Sequence, residues 1–298
     1  MEAKKICRLL IIIFLCLSVL FYALYRYELE RRTVISDELV VSAVENLKSR
    51  GIEIDSSIIE RKKPERDIYY FEIGGKAHFD IVVNAVSNAI FGTGITMTEF
   101  DTPEGLSVGI YDKKSDDREL GRFVLYDRKL SFNFSKTGID MSYGEKPILN
   151  SQTENVSKAV YDCIDRISSA LAGTSQFGYV VTGSSSNDSI LIVTAMQTVD
   201  GNVIKDVYLN YVFVDGELVI LSGNWITSSL KAKYHNTLTD GVNVLYKLDL
   251  ENVVSVISER IVYSLGMTED NKYYLLPRWE VVYTEKNGSV NTAYIDAL

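Results

Sequence analysis

Three short motifs in the chain match those of penicillin-recognising serine enzymes. Ser228-Ser229-Leu230-Lys231 matches S-x-x-K, Ser185-Ser186-Asn187 resembles S-x-N, and Lys136-Thr137-Gly138 matches K-T-G. In those enzymes the serine motif comes early in the chain and K-T-G comes late, whereas the order here is reversed. Motifs of this length recur by chance. An anchored serine hydrolase is therefore the least favoured of the three functions considered for this chain.

Histidine and cysteine are too scarce to predict a metal or disulfide site. The two histidines are His78, close to Asp80, and His235, in a polar connection, and neither has a second histidine nearby in sequence. The cysteines are Cys7, Cys16 and Cys163, and the last lies on the apolar face of a predicted helix, which indicates a buried thiol. We expect no cofactor, no metal and no catalytic residue.

The composition describes an acidic, folded protein. The chain has 298 residues, 46% of them hydrophobic, with a formal net charge of -9 and a pI near 4.9. That charge argues against nucleic acid as a partner. The mixed-charge run at 112–119 lacks the glycine and terminal-glutamate spacing of an EF-hand calcium loop, so it indicates a solvated hairpin tip.

An apolar segment near the N-terminus predicts a transmembrane helix. In residues 9–24 the only clearly polar side chain is Ser18, and about twenty helical residues span a bilayer core. Arg8 lies near one end, and three tyrosines cluster near the other, as in an interfacial aromatic belt. The expected anchor residues are Leu9, Leu10, Ile11, Ile12, Ile13, Phe14, Leu15, Leu17, Val19, Leu20, Phe21 and Leu24.

Two alternatives to an uncleaved anchor are less favoured. A signal peptide needs a small-residue cleavage site, which the exit sequence Tyr22-Ala23-Leu24-Tyr25-Arg26 lacks, and bulky residues precede Cys16 where a lipoprotein would be processed. Flanking basic residues are balanced, but a short basic tail before a first apolar helix is the signal-anchor arrangement. We therefore expect a single-pass protein of the cell membrane, with a cytoplasmic N-terminus and most of the chain extracytoplasmic.

After the anchor the pattern predicts two α+β domains, at 33–148 and 149–298, behind a tail, anchor and juxtamembrane segment at 1–32. The first domain opens with a helix over 36–50, capped by Ser36, followed by a weaker helix over 79–91 among several strands. The second domain opens with the capping box Ser151-Gln152-Thr153-Glu154 and a helix to Leu171. Each helix is expected to pack on one face of an antiparallel sheet.

Turn signals predict the hairpins of the second domain. Asp200-Gly201, Asp215-Gly216 and Asn287-Gly288 each lie between strand-like runs, where type I′ turns need positive φ. A third helix is predicted over 250–265, because apolar residues recur there at helical spacing and Gly266 follows. Trp279 is predicted to be a buried residue of the last sheet rather than a ligand platform.

The last hundred residues resemble the YycI proteins and are similar to PepSY domains. The resemblance lies in Tyr274-Leu275-Leu276-Pro277-Arg278-Trp279, in Tyr294-Ile295-Asp296-Ala297, and upstream in Ser222-Gly223-Asn224-Trp225. The layout of one N-terminal anchor followed by a two-part α+β body is also similar. The structural residues of these motifs are Gly223, Trp225, Pro277, Trp279, Tyr294 and Ala297.

The resemblance implies regulation without catalysis. YycH and YycI proteins are membrane accessory factors of a Gram-positive two-component system that controls cell-wall metabolism. It therefore implies a sensor histidine kinase and a YycH-like co-regulator as partners. The alternative that remains open is an extracytoplasmic module that binds a peptide or a wall fragment, by strand addition or in a cleft.

Overall fold

A computed structural model describes most of the chain. It describes residues 2–72, 75–102, 105–114, 118–126, 130–139, 146–149, 156–172, 176–187, 189–249, 251–268 and 272–298, and for residues 2–12, 29–33, 75–78 and 233 it describes the backbone. The predicted capping box at 151–154 lies outside these residues.

The described residues form an α+β structure that is mostly sheet, with five helices and thirteen strands. The helices are α1 (Glu2–Thr33), α2 (Asp37–Ser49), α3 (Gly75–Phe91), α4 (Lys158–Ala172) and α5 (Gly241–Lys247). The strands are β1 (Glu65–Phe71), β2 (Ile95–Thr102), β3 (Gly105–Asp112), β4 (Glu119–Tyr126), β5 (Ser131–Lys136), β6 (Phe177–Asn187), β7 (Ile190–Val199), β8 (Asn202–Val214), β9 (Glu217–Asn224), β10 (Lys231–Thr237), β11 (Val253–Met267), β12 (Tyr273–Glu285) and β13 (Val290–Asp296).

The chain divides into two compact units, and each is built from separate segments. The smaller unit takes Met1–Arg66, His235–Arg260 and Arg278–Leu298, and the larger unit takes Asp67–Tyr234 and Ile261–Pro277. This division differs from the consecutive blocks 33–148 and 149–298, because β11 and β12 contribute residues to both units. The sequence shows no sign of this interleaving, since it depends on pairing between distant strands.

The larger unit is an antiparallel sheet covered on one face by helices. Its strands lie in the order β2-β3-β4-β5-β9-β8-β7-β6, and β11 joins β8 in parallel through Tyr263 and Ile204. Apolar residues of α3 and α4 pack on the strands in one cluster that includes Val86, Ile164 and Phe123. The helical spacing of these residues is what turns one apolar face of each helix toward the sheet.

On the opposite face of this sheet, buried polar side chains form hydrogen bonds with the connecting segment 146–149. Thr194 Oγ1 accepts a hydrogen bond of 2.9 Å from Ile148 N, and Asn210 Nδ2 donates one of 3.1 Å to Lys146 O. Thr194 and Asn210 are fully buried, so these bonds compensate the loss of water. The segment 146–149 is thereby fixed across β7 and β8.

The smaller unit packs α2 and α5 with the outer parts of β11, β12 and β13. Ser36 caps α2 as predicted, with its hydroxyl accepting from Leu39 N, and Gly51 has the positive φ of 82° expected after a helix end. Asp240 caps α5 by accepting from Asn243 N at 2.9 Å. Strand β13 pairs antiparallel with β12 over seven residues.

Several predicted elements are confirmed. The helix over 36–50 is α2, and the apolar stretch at 79–91 lies in α3. The Asp-Gly turns join β7 to β8 and β8 to β9, and all four residues have positive φ, from 49° at Asp215 to 82° at Gly216. Asn287-Gly288 joins β12 to β13.

The predicted helix over 250–265 is wrong, because this region forms strand β11. Apolar residues at 253, 257 and 261 fit helical spacing, but the run is rich in β-branched residues such as Val253, Val256 and Val262. Its pairing with β8 and β12 then determines the outcome, as tertiary context often does for a short apolar run. Strands β2 and β10 and helix α5 were also not predicted.

Candidate functional site

Helix α1 exposes apolar side chains around its whole circumference. All side chains described for it, at residues 13–28, are exposed, and Phe14 and Phe21 retain 75% and 67% of their accessible surface. A helix of a globular protein normally buries one apolar stripe. Apolar surface that is continuous and uncovered is typical of contact with a membrane or another protein.

The predicted anchor residues therefore lie on one helix, and their arrangement differs from that of a core helix. Leu9, Leu10, Ile11 and Ile12 belong to α1, although their side chains are outside the described ones. The hydroxyl of Ser18 donates to the carbonyl of Phe14 at 2.8 Å, so this polar group is satisfied inside the helix. Within the described parts of the chain, no helix reaches the length and apolarity needed to cross a membrane.

Three of the motif residues lie in the smaller unit, and two of them, Trp279 and Ala297, hold the segment before α5. Trp279 is 1% exposed, as predicted for a buried strand residue, and its Nε1 donates to Thr239 O at 2.9 Å. Thr239 N in turn donates to Ala297 O at 2.7 Å. Tyr294 lies opposite Glu280 in the β12–β13 pairing. Trp279 and Ala297 thus fix the segment that leads into α5.

The other three motif residues are structural elements of the larger unit. Gly223 has φ of 143°, and a Cβ there would lie 2.1 Å from Tyr208 O, so only glycine fits without a shift of the backbone. Trp225 is fully buried in the core under α3 and α4. Pro277 is buried inside β12, which runs through this position as one continuous strand.

The residues of the serine-enzyme motifs have structural partners. The hydroxyl of Ser228 donates to Glu72 O at 2.7 Å, and Lys136 Nζ lies 3.0 Å from the carboxylate of Glu217. Lys231 is exposed on β10, and Ser185 is exposed on β6. The contacts described for these four residues therefore do not bring the three motifs together into one site.

His235 and the thiol of Cys163 belong to different units. His235 Nε2 lies 3.4 Å from Glu65 Oε2 at an exposed position, and the side chain of His78 is outside the described ones. Cys163 is half-buried against the α3–α4 core, and burial raises the pKa of its thiol while Arg166 opposes the shift. The described residues contain no cluster of acidic, histidine or cysteine side chains that could hold a metal ion.

A shielded carboxyl in the smaller unit was not predicted. Both Oε atoms of Glu259 are inaccessible to solvent, and neither has a hydrogen-bond partner among the described groups. Burial raises the pKa of this carboxyl to about 8, and the charges of Glu60 and Asp240 add to the shift. Glu259 is therefore protonated through most of the neutral range. The sequence signal is one acidic residue in a β-branched run, which becomes informative only once that run is known to be a strand.

The smaller unit also contains an open groove of about 860 Å³. Lys48 of α2, the segment 51–58 and the start of β11 line it. Two hydrogen bonds, Glu53 N to Val254 O at 2.8 Å and Val256 N to Glu53 O at 2.9 Å, fix that segment beside β11. This volume falls in the range of small-molecule sites. The buried side chains of Ile52 and Ile54 form apolar parts of its wall.

Comparisons with known proteins give similar solved structures, of which two are described here, and no family. An uncharacterised protein from Eubacterium rectale ATCC 33656 is 8% identical, with 82% of this chain and 85% of that chain covered and a TM-score of 0.44. The C-terminal domain of Bacillus megaterium YpeB is 14% identical, with 76% and 93% covered and a TM-score of 0.39. No family model and no curated protein matches. No match therefore identifies the YycI proteins in particular.

Proposed function

We propose that the protein is a membrane-anchored, non-catalytic regulator of a sensor histidine kinase that controls cell-wall metabolism. In this proposal α1 crosses the cell membrane once, the N-terminus is cytoplasmic and both α+β units lie outside the cytoplasm. The last part of the chain is PepSY-like, and a YycH-like protein acts as co-regulator.

The observation that carries the proposal is the exposed apolar surface of α1. Leaving many large apolar side chains in water costs about 25 cal/mol for each Å² of apolar area, so they favour a bilayer or a partner helix. The sequence around them contains sixteen residues with Ser18 as the one clearly polar side chain, and that hydroxyl is already bonded within the helix. Both features suit a segment in hydrocarbon.

The regulatory part of the proposal rests on the resemblance of residues 203–297 to the YycI proteins. Anchoring confines this protein and a membrane kinase to one plane, which raises their effective concentration, so a weak contact can bias the kinase. The span has few small residues besides Ser18 and Ala23, so close packing of the GxxxG type is not expected.

The topology is tested with single cysteines and a membrane-impermeant maleimide. In a chain in which Cys7, Cys16 and Cys163 are replaced by serine or alanine, Ser49→Cys should react in intact cells. Glu2→Cys, the matched control, should react only after lysis. Reaction of Glu2→Cys in intact cells would reverse the proposed orientation, and recovery of the protein in the soluble fraction would exclude the anchor.

The partner is tested by co-purification from detergent-solubilised membranes. The full chain should co-purify with a sensor histidine kinase, and deletion of its gene should change the expression of cell-wall genes under wall stress. A deletion that leaves kinase output unchanged would contradict the regulatory proposal.

A second candidate function is binding of a peptide or wall fragment, which the groove beside α2 favours. Ser56 lines this groove, and a tryptophan there should fill part of its 860 Å³. Ser56→Trp should therefore abolish binding of a soluble muropeptide, whereas Ser49→Trp, on the exposed side of α2, should not. Absence of muropeptide binding to the unaltered chain would remove this candidate.

A further inference from the structure

A short segment of the larger unit lies across the sheet without belonging to it. Residues 146–149, which we call the strap, form no helix or strand and cross the face opposite α3 and α4. Pro147 and Ile148 are half-buried there, whereas Lys146 and Leu149 are exposed, and Leu149 retains 61% of its accessible surface. The strap is therefore held at the surface rather than in the core.

Three side chains from neighbouring strands hold the strap, and each bonds to its backbone. Thr182 lies on β6, Thr194 on β7 and Asn210 on β8. Thr194 Oγ1 accepts from Ile148 N at 2.9 Å, and Thr182 Oγ1 donates to Ile148 O at 3.2 Å. Asn210 Nδ2 donates to Lys146 O at 3.1 Å. Because these bonds end on backbone atoms, they select an extended chain more than particular side chains.

The bonding groups under the strap are oriented by each other. Thr194 Oγ1 donates to Asn210 Oδ1 at 2.5 Å, so the hydroxyl turns a lone pair toward the strap and the amide turns its Nδ2 group toward it. Both side chains are fully buried. A buried donor or acceptor that loses its partner costs free energy, so this site favours an occupied state.

The sequence of the strap shows which segments fit the site. Pro147 has no N–H that would need a partner between the two bonded residues, and its fixed φ suits an extended chain. The residue before a proline is itself confined to extended conformations, which lowers the entropy that Lys146 loses on binding. Ile148 then places an aliphatic side chain at a half-buried position. The class of segment that fits is therefore an extended one in which an aliphatic residue follows proline.

We propose that this face of β6, β7 and β8 binds an extended X-Pro-aliphatic segment of a partner protein, and that the strap occupies the site in cis until such a segment displaces it. The strap shows the recognition chemistry, since it is seated on the site with all three bonds formed. A tethered occupant has a high effective concentration, so it keeps the site closed to weak ligands. The proposal does not depend on the regulatory function proposed above.

A fluorescein-labelled peptide with the sequence of residues 144–151 tests the proposal. Its binding to the full chain in detergent micelles is measured by fluorescence anisotropy. Ile148→Pro removes the N–H that bonds to Thr194, so the strap should leave the site. The peptide should then bind at least about tenfold more tightly than to the native chain. Leu149→Pro, the matched control, keeps all three bonds and should bind the peptide like the native chain.

Two further changes separate the proposed site from other binding. A peptide that is N-methylated at its isoleucine cannot donate to Thr194 and should bind about tenfold more weakly. This change leaves the protein unaltered, so misfolding cannot explain the loss. In the Ile148→Pro chain, Thr194→Val should weaken binding by a similar factor, whereas Thr198→Val, on the same strand but outside these bonds, should not.

Cooperative unfolding in urea shows whether the Ile148→Pro chain is folded. If it is not, Pro147→Gly takes its place, because it keeps the three bonds but makes the detached strap more flexible, and it should bind the peptide more tightly than the native chain. The proposal is overturned if a folded chain with a weakened strap binds the peptide no better than the native chain. It is also overturned if N-methylation leaves binding unchanged, or if either control variant behaves like the variant it matches.

Discussion

Replacing Glu259 with glutamine should make the smaller unit less sensitive to pH. The native carboxyl is shielded, has no hydrogen-bond partner among the described groups, and lies near the charges of Glu60 and Asp240. Glutamine keeps the size of the protonated acid but cannot ionise. At neutral pH the native chain must either keep Glu259 protonated or bury its negative charge. The variant has no ionisable group at this position and avoids both costs.

The size of the effect follows from the pKa values of Glu259. The pKa is about 8 in the folded chain and 4.5 for an ordinary glutamate. Below pH 4.5 both states hold the proton. Between pH 4.5 and 8 the unfolded state releases it and the folded state keeps it, so the free energy of unfolding falls by about 1.4 kcal/mol for each pH unit. The native chain should thus lose on the order of 3 kcal/mol by pH 7 through this group, and Glu259→Gln should not.

Tryptophan fluorescence during urea unfolding measures this difference. A Trp225→Phe background leaves Trp279, in the smaller unit, as the reporter. The full chain in micelles is unfolded at several values between pH 4.5 and 8, with and without Glu259→Gln. Glu45→Gln, at an exposed position on α2, is the matched control and should follow the native pH dependence.

The reasoning fails if the stability difference between Glu259→Gln and the native chain is the same at pH 4.5 and pH 8. It also fails if the native chain gains stability relative to the variant as the pH rises. Either result would mean that the carboxyl is solvated or has a partner that favours its charged form.

Three further substitutions test the structural roles of the motif residues. Gly223→Ala should lower the free energy of unfolding by about 3 kcal/mol or more, because the added Cβ would lie 2.1 Å from Tyr208 O. Urea titration measures this loss, and a loss below about 1 kcal/mol would contradict the prediction. Trp279→Ala should cost about 3–5 kcal/mol, and Trp279→Phe about 1–3 kcal/mol because Thr239 O loses its donor. A negligible loss for Trp279→Phe would mean that the hydrogen bond to Thr239 O contributes nothing.

Local signals in the sequence predict the elements that depend on neighbouring residues. Ser36 caps α2 through an atom three residues away, and the Asp-Gly pairs at 200–201 and 215–216 need only the φ values that these residue types favour. Such features depend on neighbouring residues and need no contact with distant parts of the chain. They were therefore predicted with correct type and position.

Features that depend on distant residues could not be predicted in this way. The run at 253–267 fits helical spacing, and pairing with β8 and β12 makes it a strand. Glu259 owes its raised pKa to burial within a unit assembled from three separate segments. The hydrogen bonds to residues 146–149 come from three neighbouring strands, so they become visible only when the strand order is known. The apolar surface of α1, in contrast, is local, and the sequence predicts it directly.

The most direct test of the central proposal exchanges the span and measures kinase output in cells. Residues 9–24 are replaced by an unrelated apolar helix of equal length, and a reporter gene under the control of the kinase is measured under wall stress. We expect the protein to remain in the membrane fraction while regulation weakens, because the side chains of the span contribute to kinase contact. If the exchanged protein and a chain lacking the span both regulate like the native protein, anchoring through α1 is not required and the proposal is contradicted.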